Sequence, residues 1–536
     1  MTTPKQIRVR RSLHDVQKDY ENGNTKELEN LMRAWKGIKE LPADDPNSFF
    51  MIGGFHGEPF RGAGWGNGSY WGGYCNHGNV LFPTWHRAYL VRLEEALQSI
   101  AGCEDVMLPF WDETNEESLT KGIPWALTNE KFTLDGVEID NPLRSFIFPK
   151  NIVDNVNQDP VDYSKPKGYE TVRYPLSGLM GPNDIKKTTI HNARFPDYAK
   201  NVEILNNNVI NWLNSYIIVK RKKIPTNVHQ KYIDSLSAPN FTVFSNTTSS
   251  AEWNDNLEEG KSPVVPLESP HNSIHLAVGG CDIPTYDRSP IRGANGDMGE
   301  NDTAGLDPIF YFHHCNVDRV FWLWQKKYGK TDQLEIIAEY PGTNTVDSQG
   351  PTPGVAPNSW LTLESPLTPF KLKERDMERM YTSLDCINIE TQLGYTYGAG
   401  SLDEYAAPNL SAKNQEENTD TKVLKVSKIN RGGINGSFMI NAFAMIDGKK
   451  ELIGTEAVLS RWSVQTCSNC QTHIEVKAFF ELPETGDKLM KGLQSQTDPE
   501  IIVEVSDHED LLMTNESVKM LKGTTQTAPT FRVEIL

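Results

Sequence analysis

The chain has 536 residues, with 53 Lys plus Arg against 71 Asp plus Glu and a net charge of −18. An acidic excess of that size argues against nucleic acid and anionic membrane surfaces as partners, because both are bound by clusters of cations. Apolar residues make up 38%, enough for globular domains, and no apolar run nears the ~20 residues that cross a bilayer.

Arg8, Arg10 and Arg11 open the chain, but the polar Leu13-His14-Asp15-Val16-Gln17-Lys18 behind them is no export-signal core. Seven cysteines are too few for a disulfide framework in so long a chain and fit a reducing compartment. A cytoplasmic location is expected. Helical patterns follow over 26–38, 87–99 and 308–327, in a stretch rich in Trp, Tyr, Phe and Gly with long loops. The pattern changes after Tyr397. A polar stretch from Gly398 to Thr421 reads as a linker. Beyond it, 423–426, 437–443, 474–480, 500–505 and 531–535 are short β-rich runs between turn residues, the mark of a small β-sandwich or barrel. The expected division is a mainly α domain over 1–398, a linker over 399–421 and a small all-β, sandwich-like C-terminal domain over 422–536.

Six of the twelve histidines fall into two groups. His56 in Gly53-Gly54-Phe55-His56-Gly57 and His77 in Tyr74-Cys75-Asn76-His77-Gly78 belong to loops, while His86 starts a helix whose inner stripe is His86, Tyr89, Leu90, Leu93 and Leu97. In Ser269-Pro270-His271-Asn272-Ser273-Ile274-His275, Ser suits an N-cap and Pro the first helical position. His271 and His275 are then i and i+4 on one face, within reach of one metal ion, and Gly279-Gly280 stops the helix. Asp307-Pro308 repeats that start, and the helix it opens ends before Gly329, behind Lys326 and Lys327. Phe310, His314, Val317 and Phe321 share its apolar stripe, with His313 about 100° away.

Each piece alone has an ordinary reading: an i, i+4 histidine pair is more often surface chance than ligand, and a buried histidine is usually a satisfied core residue. The sum of three histidines on each side, on inward faces, points to metal. Imidazoles without a carboxylate argue against a di-iron site and against magnesium or calcium. Zinc accepts three imidazoles but has no redox chemistry. Copper suits an all-imidazole shell in both oxidation states, and two Cu(I) ions carry the two electrons that take dioxygen to bound peroxide.

Phe82-Pro83-Thr84-Trp85-His86-Arg87-Ala88-Tyr89 and Asp307-Pro308-Ile309-Phe310-Tyr311-Phe312-His313-His314-Cys315-Asn316-Val317-Asp318-Arg319 resemble the two copper-site signatures of tyrosinases, which share a binuclear copper centre with catechol oxidases and molluscan haemocyanins. The resemblance is to fungal and related bacterial members and spans about 5–398. It implies a four-helix bundle holding two copper ions that bind O₂ as peroxide, one copper on His56, His77 and His86, the other on His271, His275 and His314. It implies ortho-hydroxylation of small phenols and oxidation of o-diphenols to o-quinones, precursors of melanin, with a catechol oxidase or a haemocyanin-like oxygen carrier as the alternatives. Of the adjacent pair the family uses the second histidine, so His313 stands behind the metal.

The resemblance also implies a thioether between Cys75 and the ring of His77, and a water held by Glu268 and Asn272 that takes the phenol proton. Asn301, where plant catechol oxidases carry a bulky aromatic, leaves the entrance open, and Phe310 packs under the substrate site. Tyr395 and Tyr397 resemble a Tyr-x-Tyr motif that stacks near N-terminal arginines, with Arg10 and Arg11 the candidates. Fungal relatives are often latent proenzymes covered by a C-terminal β domain. Here Val458, Leu459 and Trp462 are candidate covering residues, and Cys467 and Cys470, with His473, are candidates for handling copper. Small phenols and O₂ are the expected partners, and a homo-oligomer is compatible with the sequence.

Overall fold

The computed structural model describes residues 7–57, 73–153, 162–219, 221–283, 291–344, 355, 359–374, 377–407, 422–446, 448–464, 474–482, 501–509, 511–514 and 531–536. The helices in chain order are α1 (Leu13–Glu21), α2 (Lys26–Glu40), α3 (Phe49–Gly54), α4 (Phe82–Gln98), α5 (Glu116–Lys121), α6 (Ile185–Asn192), α7 (Tyr198–Asn214), α8 (Val228–Ser235), α9 (Phe241–Ser245), α10 (Thr247–Asp255), α11 (Glu268–Gly279) and α12 (Ile309–Lys327). The strands are β1 (Arg8–Arg10), β2 (Lys131–Leu134), β3 (Val137–Asp140), β4 (Tyr216–Val219), β5 (Lys222–Pro225), β6 (Pro366–Glu374), β7 (Met377–Thr382) and β8 (Tyr395–Tyr397). They continue with β9 (Lys422–Asn430), β10 (Phe438–Ile446), β11 (Lys449–Val458), β12 (Glu475–Leu482), β13 (Ile501–Ser506), β14 (Leu511–Thr514) and β15 (Arg532–Ile535). No described helix is long and apolar enough to cross a membrane.

The helices α2, α4, α7, α11 and α12 pack as a bundle, and the fold is the expected one: helical over most of the chain, β at its C-terminal end. α12 is buried from Ile309 to Gln325, so it runs through the middle of the bundle rather than along its surface. Its start differs in detail from the sequence expectation. Pro308 is the cap residue rather than the first helical one, and Asp307 Oδ1 accepts the Ile309 N–H at 3.1 Å while its carboxylate also takes Arg173 at 2.6 Å. α11 likewise begins at Glu268, ahead of the expected Ser269 cap, because the Ser269 hydroxyl is committed to Glu456 at 2.9 Å instead. Its end is where the glycine pair placed it. A Cβ on Gly279 would lie 1.7 Å from the Gly299 nitrogen, so only glycine lets the helix meet the 296–299 turn this closely.

One buried charge cluster ties the two ends of the helical part together. β1 pairs in parallel with β8, which stacks the Arg10 guanidinium 3.7 Å from the centre of the Tyr395 ring. Arg10 forks onto Glu94 with two bonds of 2.9 Å and reaches Asp318 at 3.3 Å. Asp318 also takes Arg87 at 2.6 Å and the Tyr395 and Tyr397 hydroxyls at 2.7 and 2.6 Å. Arg11 turns away to Asp19 and Glu27. Burial raises the carboxyl of Asp318, yet the paired cations Arg87 and Arg10 outweigh it and hold the group ionised.

Among the described residues, the C-terminal part forms a four-stranded antiparallel sheet in the order β11-β10-β13-β14 and a three-stranded sheet in the order β12-β9-β15. β10 is buried along nearly its whole length, and β13 alternates buried and half-buried residues, so one face of its sheet is core. Ile217 and Val219 of the β4–β5 hairpin enter that core from the helical part. In the other direction, Met439, Ala457 and Leu459 join the core of the helical part. The stretch read as a linker keeps to the helical part as far as 407, where Leu402 is fully buried and Asp403 pairs with Arg319. Residues 408–421 lie outside the described residues.

Removing one partner from a buried ion cluster strands the others without water. Arg10→Met is therefore expected to destabilise the chain by about 3 kcal/mol, read as a lowered midpoint of the first thermal transition; an unchanged midpoint would contradict the cluster's role.

Candidate metal centre

Six imidazoles converge at the centre of the bundle, from two loops and three helices. His56 follows α3, His77 lies in the loop before α4, His86 is on α4, His271 and His275 are on α11, and His314 is on α12. The first three place one ring nitrogen each within 4.8 Å of one another, and the α11 and α12 histidines do the same. His271 Nε2 and His275 Nε2 lie 3.2 and 3.3 Å from His314 Nε2. The two groups face each other across stacked rings, His86 on His314 with centroids 4.5 Å apart and planes 18° from parallel.

The surroundings choose which nitrogen faces inward. The Nδ1 of His56 donates to the Asn301 carbonyl (3.2 Å), that of His86 to the Phe82 carbonyl (2.8 Å), that of His275 to the Met298 carbonyl (2.8 Å) and that of His271 to Asn272 Oδ1 (2.9 Å). Each bond places the proton on Nδ1 and leaves the Nε2 lone pair free. His314 is held by shape: Phe310 stacks on it at 3.9 Å. The Nε2 atoms of His56, His77 and His86 are buried and meet no hydrogen-bond partner. Burial keeps all six rings neutral, reinforced for most by mutual repulsion, and it lowers His86 to about 3. Unpartnered lone pairs in a dry pocket are costly unless a Lewis acid takes them, so the donor set fits two soft or borderline metal ions bound by imidazole alone.

His313, next in chain to His314, also has a ring nitrogen within 4.8 Å of those of His271, His275 and His314, but its other nitrogen is held from behind. Its Nδ1 pairs with Glu113 at 2.6 Å and its ring stacks on His271, so it backs the second group from outside. Glu113 also accepts the Tyr232 hydroxyl at 2.5 Å, and burial pushes its carboxyl up while lowering His313 to about 3. Sequence reading missed Glu113 and Tyr232, since nothing in the chain links them to a histidine 200 residues from the glutamate.

Glu268 is buried and its oxygens are occupied: Oε1 accepts Gly78 N–H at 2.8 Å, and Oε2 accepts the Thr247 N–H and hydroxyl at 2.8 and 2.9 Å. Burial raises its proton affinity and those donors oppose the rise. Asn301, expected to leave the entrance open, is built into the wall of the first group, its amide 3.6 Å from Cys75 Sγ and 3.5 Å from His77 Nδ1. Cys467, Cys470 and His473 lie outside the described residues.

The C-terminal sheets close the outer side of this centre. β11 packs on α11, with Glu456 taking Lys231 and Ser269 at 2.9 Å each. Of the three candidate covering residues, Val458 stays in the β core, Trp462 turns to Tyr163, and Leu459 alone joins the hydrophobic core of the helical part. At the seam His508 is buried between two groups of the helical part, Nε2 3.0 Å from Glu300 and Nδ1 3.6 Å from Cys281. Asp507 and Glu509 flank it, Lys187 pairs with Glu509, and Asp184 and His191 line the same cavity of about 440 Å³.

Burial alone would strip the His508 proton, but Cys281 and Glu300 outweigh it and raise the ring's pKa. The proton-linked stabilisation is then complete below the free value of about 6.5 and lost as pH rises through the raised one. Docking of the C-terminal sheets is expected to weaken on the alkaline side, and His508→Gln to flatten that dependence, both read by limited proteolysis across pH; a pH-independent wild-type pattern would refute it.

With this geometry in place, comparison with known proteins is direct. A sequence family described as the common central domain of tyrosinase matches residues 46–327. The chain is 53% identical over 498 residues to the tyrosinase HcTyr2 of Hahella sp. (strain CCB-MM4), covering 89% of this chain and 88% of the relative. It is 46% identical over 510 residues to a tyrosinase of Aspergillus oryzae, covering 89% and 90%. The solved tyrosinase of Burkholderia thailandensis at low pH superposes with a TM-score of 0.80 at 49% identity, covering 99% of this chain and 100% of that one.

Proposed function

Since the chain belongs to the tyrosinase family, enzymes that ortho-hydroxylate monophenols and oxidise o-diphenols to o-quinones with O₂ at a copper centre, we propose that its six converging histidines hold two copper ions. His56, His77 and His86 take one ion; His271, His275 and His314 take the other. The single observation that carries this assignment is the gathering of each group's ring nitrogens within 4.8 Å of one another, buried at the centre of the bundle. When bound, the coppers supply the electrons that reduce dioxygen and the Lewis acidity that receives a phenolate oxygen.

The rest of the chemistry belongs to the chain. A phenol has a pKa near 10, so a base must take its proton before the oxygen can serve as a ligand at neutral pH. Glu268 is the candidate: a buried carboxylate beside the His77 loop and at the start of the helix that carries His271 and His275. Asn272 spends its carbonyl on His271, which leaves its amide N–H groups to orient the incoming polar group. Phe310, flat against His314, supports an aromatic ring next to the centre. Cys75 and His77 carry the thioether. The protein is latent while the C-terminal sheets stay packed on α11, with Leu459 in the core of the helical part, and activation is their displacement. The division at 398 and 422, with the intervening stretch as the site of cleavage, and a cytoplasmic location belong to the same reading.

Two measurements test it. His314→Ala is expected to lower copper content after loading from two ions per chain to one, while His313→Gln keeps two; equal loss in both would place the second copper elsewhere. Glu268→Gln is expected to lower kcat/KM for a monophenol by about 10²-fold and for the matching diphenol much less, in oxygen-uptake assays on activated enzyme. The ratio is the readout, because a glutamine amide also faces the Gly78 or Thr247 donors and loosens the site for both substrates. An unchanged ratio removes Glu268 as the base. Absence of any monophenol turnover in the activated wild type would leave a catechol oxidase.

A further inference from the structure

Arg461 belongs to the C-terminal part, just after β11, yet its side chain is 1% exposed and forms part of the wall of the first histidine group. One guanidinium nitrogen, Nη2, donates to Cys75 Sγ at 3.2 Å and to the His56 carbonyl at 3.3 Å. The other, Nη1, reaches Asp302 at 3.4 Å. Neighbouring backbone fixes its approach: Ser460 accepts the Asn301 N–H at 3.1 Å, and the Trp462 N–H goes to Asp302 at 2.8 Å. A single side chain from the cover thus joins the His56 turn, the Cys75 loop and the 301–302 turn. The sulfur has a second donor in the Asn301 amide, which also faces His77 Nδ1.

His77 is the histidine most in need of such support. His56, His86, His271 and His275 each anchor Nδ1 on a carbonyl oxygen, and His314 is gripped by Phe310. Among the described residues His77 Nδ1 faces only the Asn301 amide, and the ring's place depends on the loop that carries Cys75.

We infer that Arg461 is a positioning residue for forming the Cys75–His77 thioether, so that the C-terminal part serves as an internal maturation factor as well as a cover. The inference rests on the thioether reading above. In the step, the S–H bond of Cys75 and one ring C–H bond of His77 break and a C–S bond forms. The two electrons and two protons released go to dioxygen, the co-substrate of the family's reaction, giving hydrogen peroxide. Two fixed donors, the Arg461 guanidinium and the Asn301 amide, hold the sulfur in place beside the His77 loop. Once formed, the covalent link does what the guanidinium did, so the His77 loop keeps its place when the cover, with Arg461 on it, is displaced.

The test uses the full chain, purified without copper and then loaded with Cu(II) in air, with the crosslinked fraction followed by the loss of two hydrogen atoms in the Cys75–His77 peptide mass. Arg461→Ala and Arg461→Gln are expected to slow crosslinking by about tenfold or more at unchanged copper uptake. Arg461→Lys, which keeps one donor and the charge, falls between and carries the comparison should the other two not hold copper. Glu456→Ala loosens the same cover through Lys231 and Ser269 without touching the sulfur, and should crosslink at the wild-type rate. Wild-type rates in all Arg461 variants overturn the inference. So does equal slowing in Glu456→Ala, which would make docking alone the cause. No crosslink in copper-loaded wild type overturns the thioether reading itself, a different result from either.

Discussion

Six neutral imidazoles in a water-free pocket, with lone pairs pointed at one another, form the constraint around which the bundle is built. The Nε2 atoms of His271 and His275 come within 3.2 and 3.3 Å of His314 Nε2, and those of His56, His77 and His86 meet no hydrogen-bond partner. The fold holds them there by spending backbone carbonyls, from Asn301, Phe82 and Met298, on the outward Nδ1 atoms. Those carbonyls sit where they do because the chain around them is pinned: the 296–299 turn packs against a glycine at the end of α11, and Phe82 lies one turn before His86 on α4. Tautomer, ring orientation and metal readiness are therefore properties of the backbone as much as of the histidines.

The same logic explains the buried charges behind the site. Asp318 stands one turn after His314 on α12 and gathers Arg10, Arg87, Tyr395 and Tyr397. That cluster locks the N-terminal strand and the end of the helical part onto the helix that carries one candidate ligand. Glu113 and Tyr232 brace His313 on the other side of the same helix. A rigid α12 between two polar braces keeps His314 and Phe310 in register with the rings opposite, to within the tolerance a metal site needs.

The cover is more than a lid in this arrangement. It meets the helical part through polar contacts at separate points, Glu456 with Lys231 and Ser269, Arg461 with Asp302 and Cys75, and His508 with Glu300. Apolar side chains cross in both directions, Leu459 inward and Ile217 and Val219 outward. Breaking the chain between the two parts would leave all of these in place, so release needs more than a cut.

Much of this was legible in the chain. Local spacing alone put His271 and His275 on one helix face, gave α11 its glycine stop, and separated His314 from His313 by their angle around α12, because helix geometry is a property of neighbours in sequence. The change from helical to strand periodicity announced the β part for the same reason. The exact helix starts were not legible, since the Ser269 hydroxyl goes to distant Glu456 and Asp307 divides its carboxylate between the Ile309 N–H and distant Arg173. Nor were Glu113, the wall position of Asn301, or Arg461 beside Cys75, because contacts between residues hundreds of positions apart leave no local pattern. Sequence determined which residues could be ligands and which way each helix would face; only the tertiary packing decided which nitrogen looks inward and what stands over the sulfur, because both depend on carbonyls and cations brought in from elsewhere in the chain.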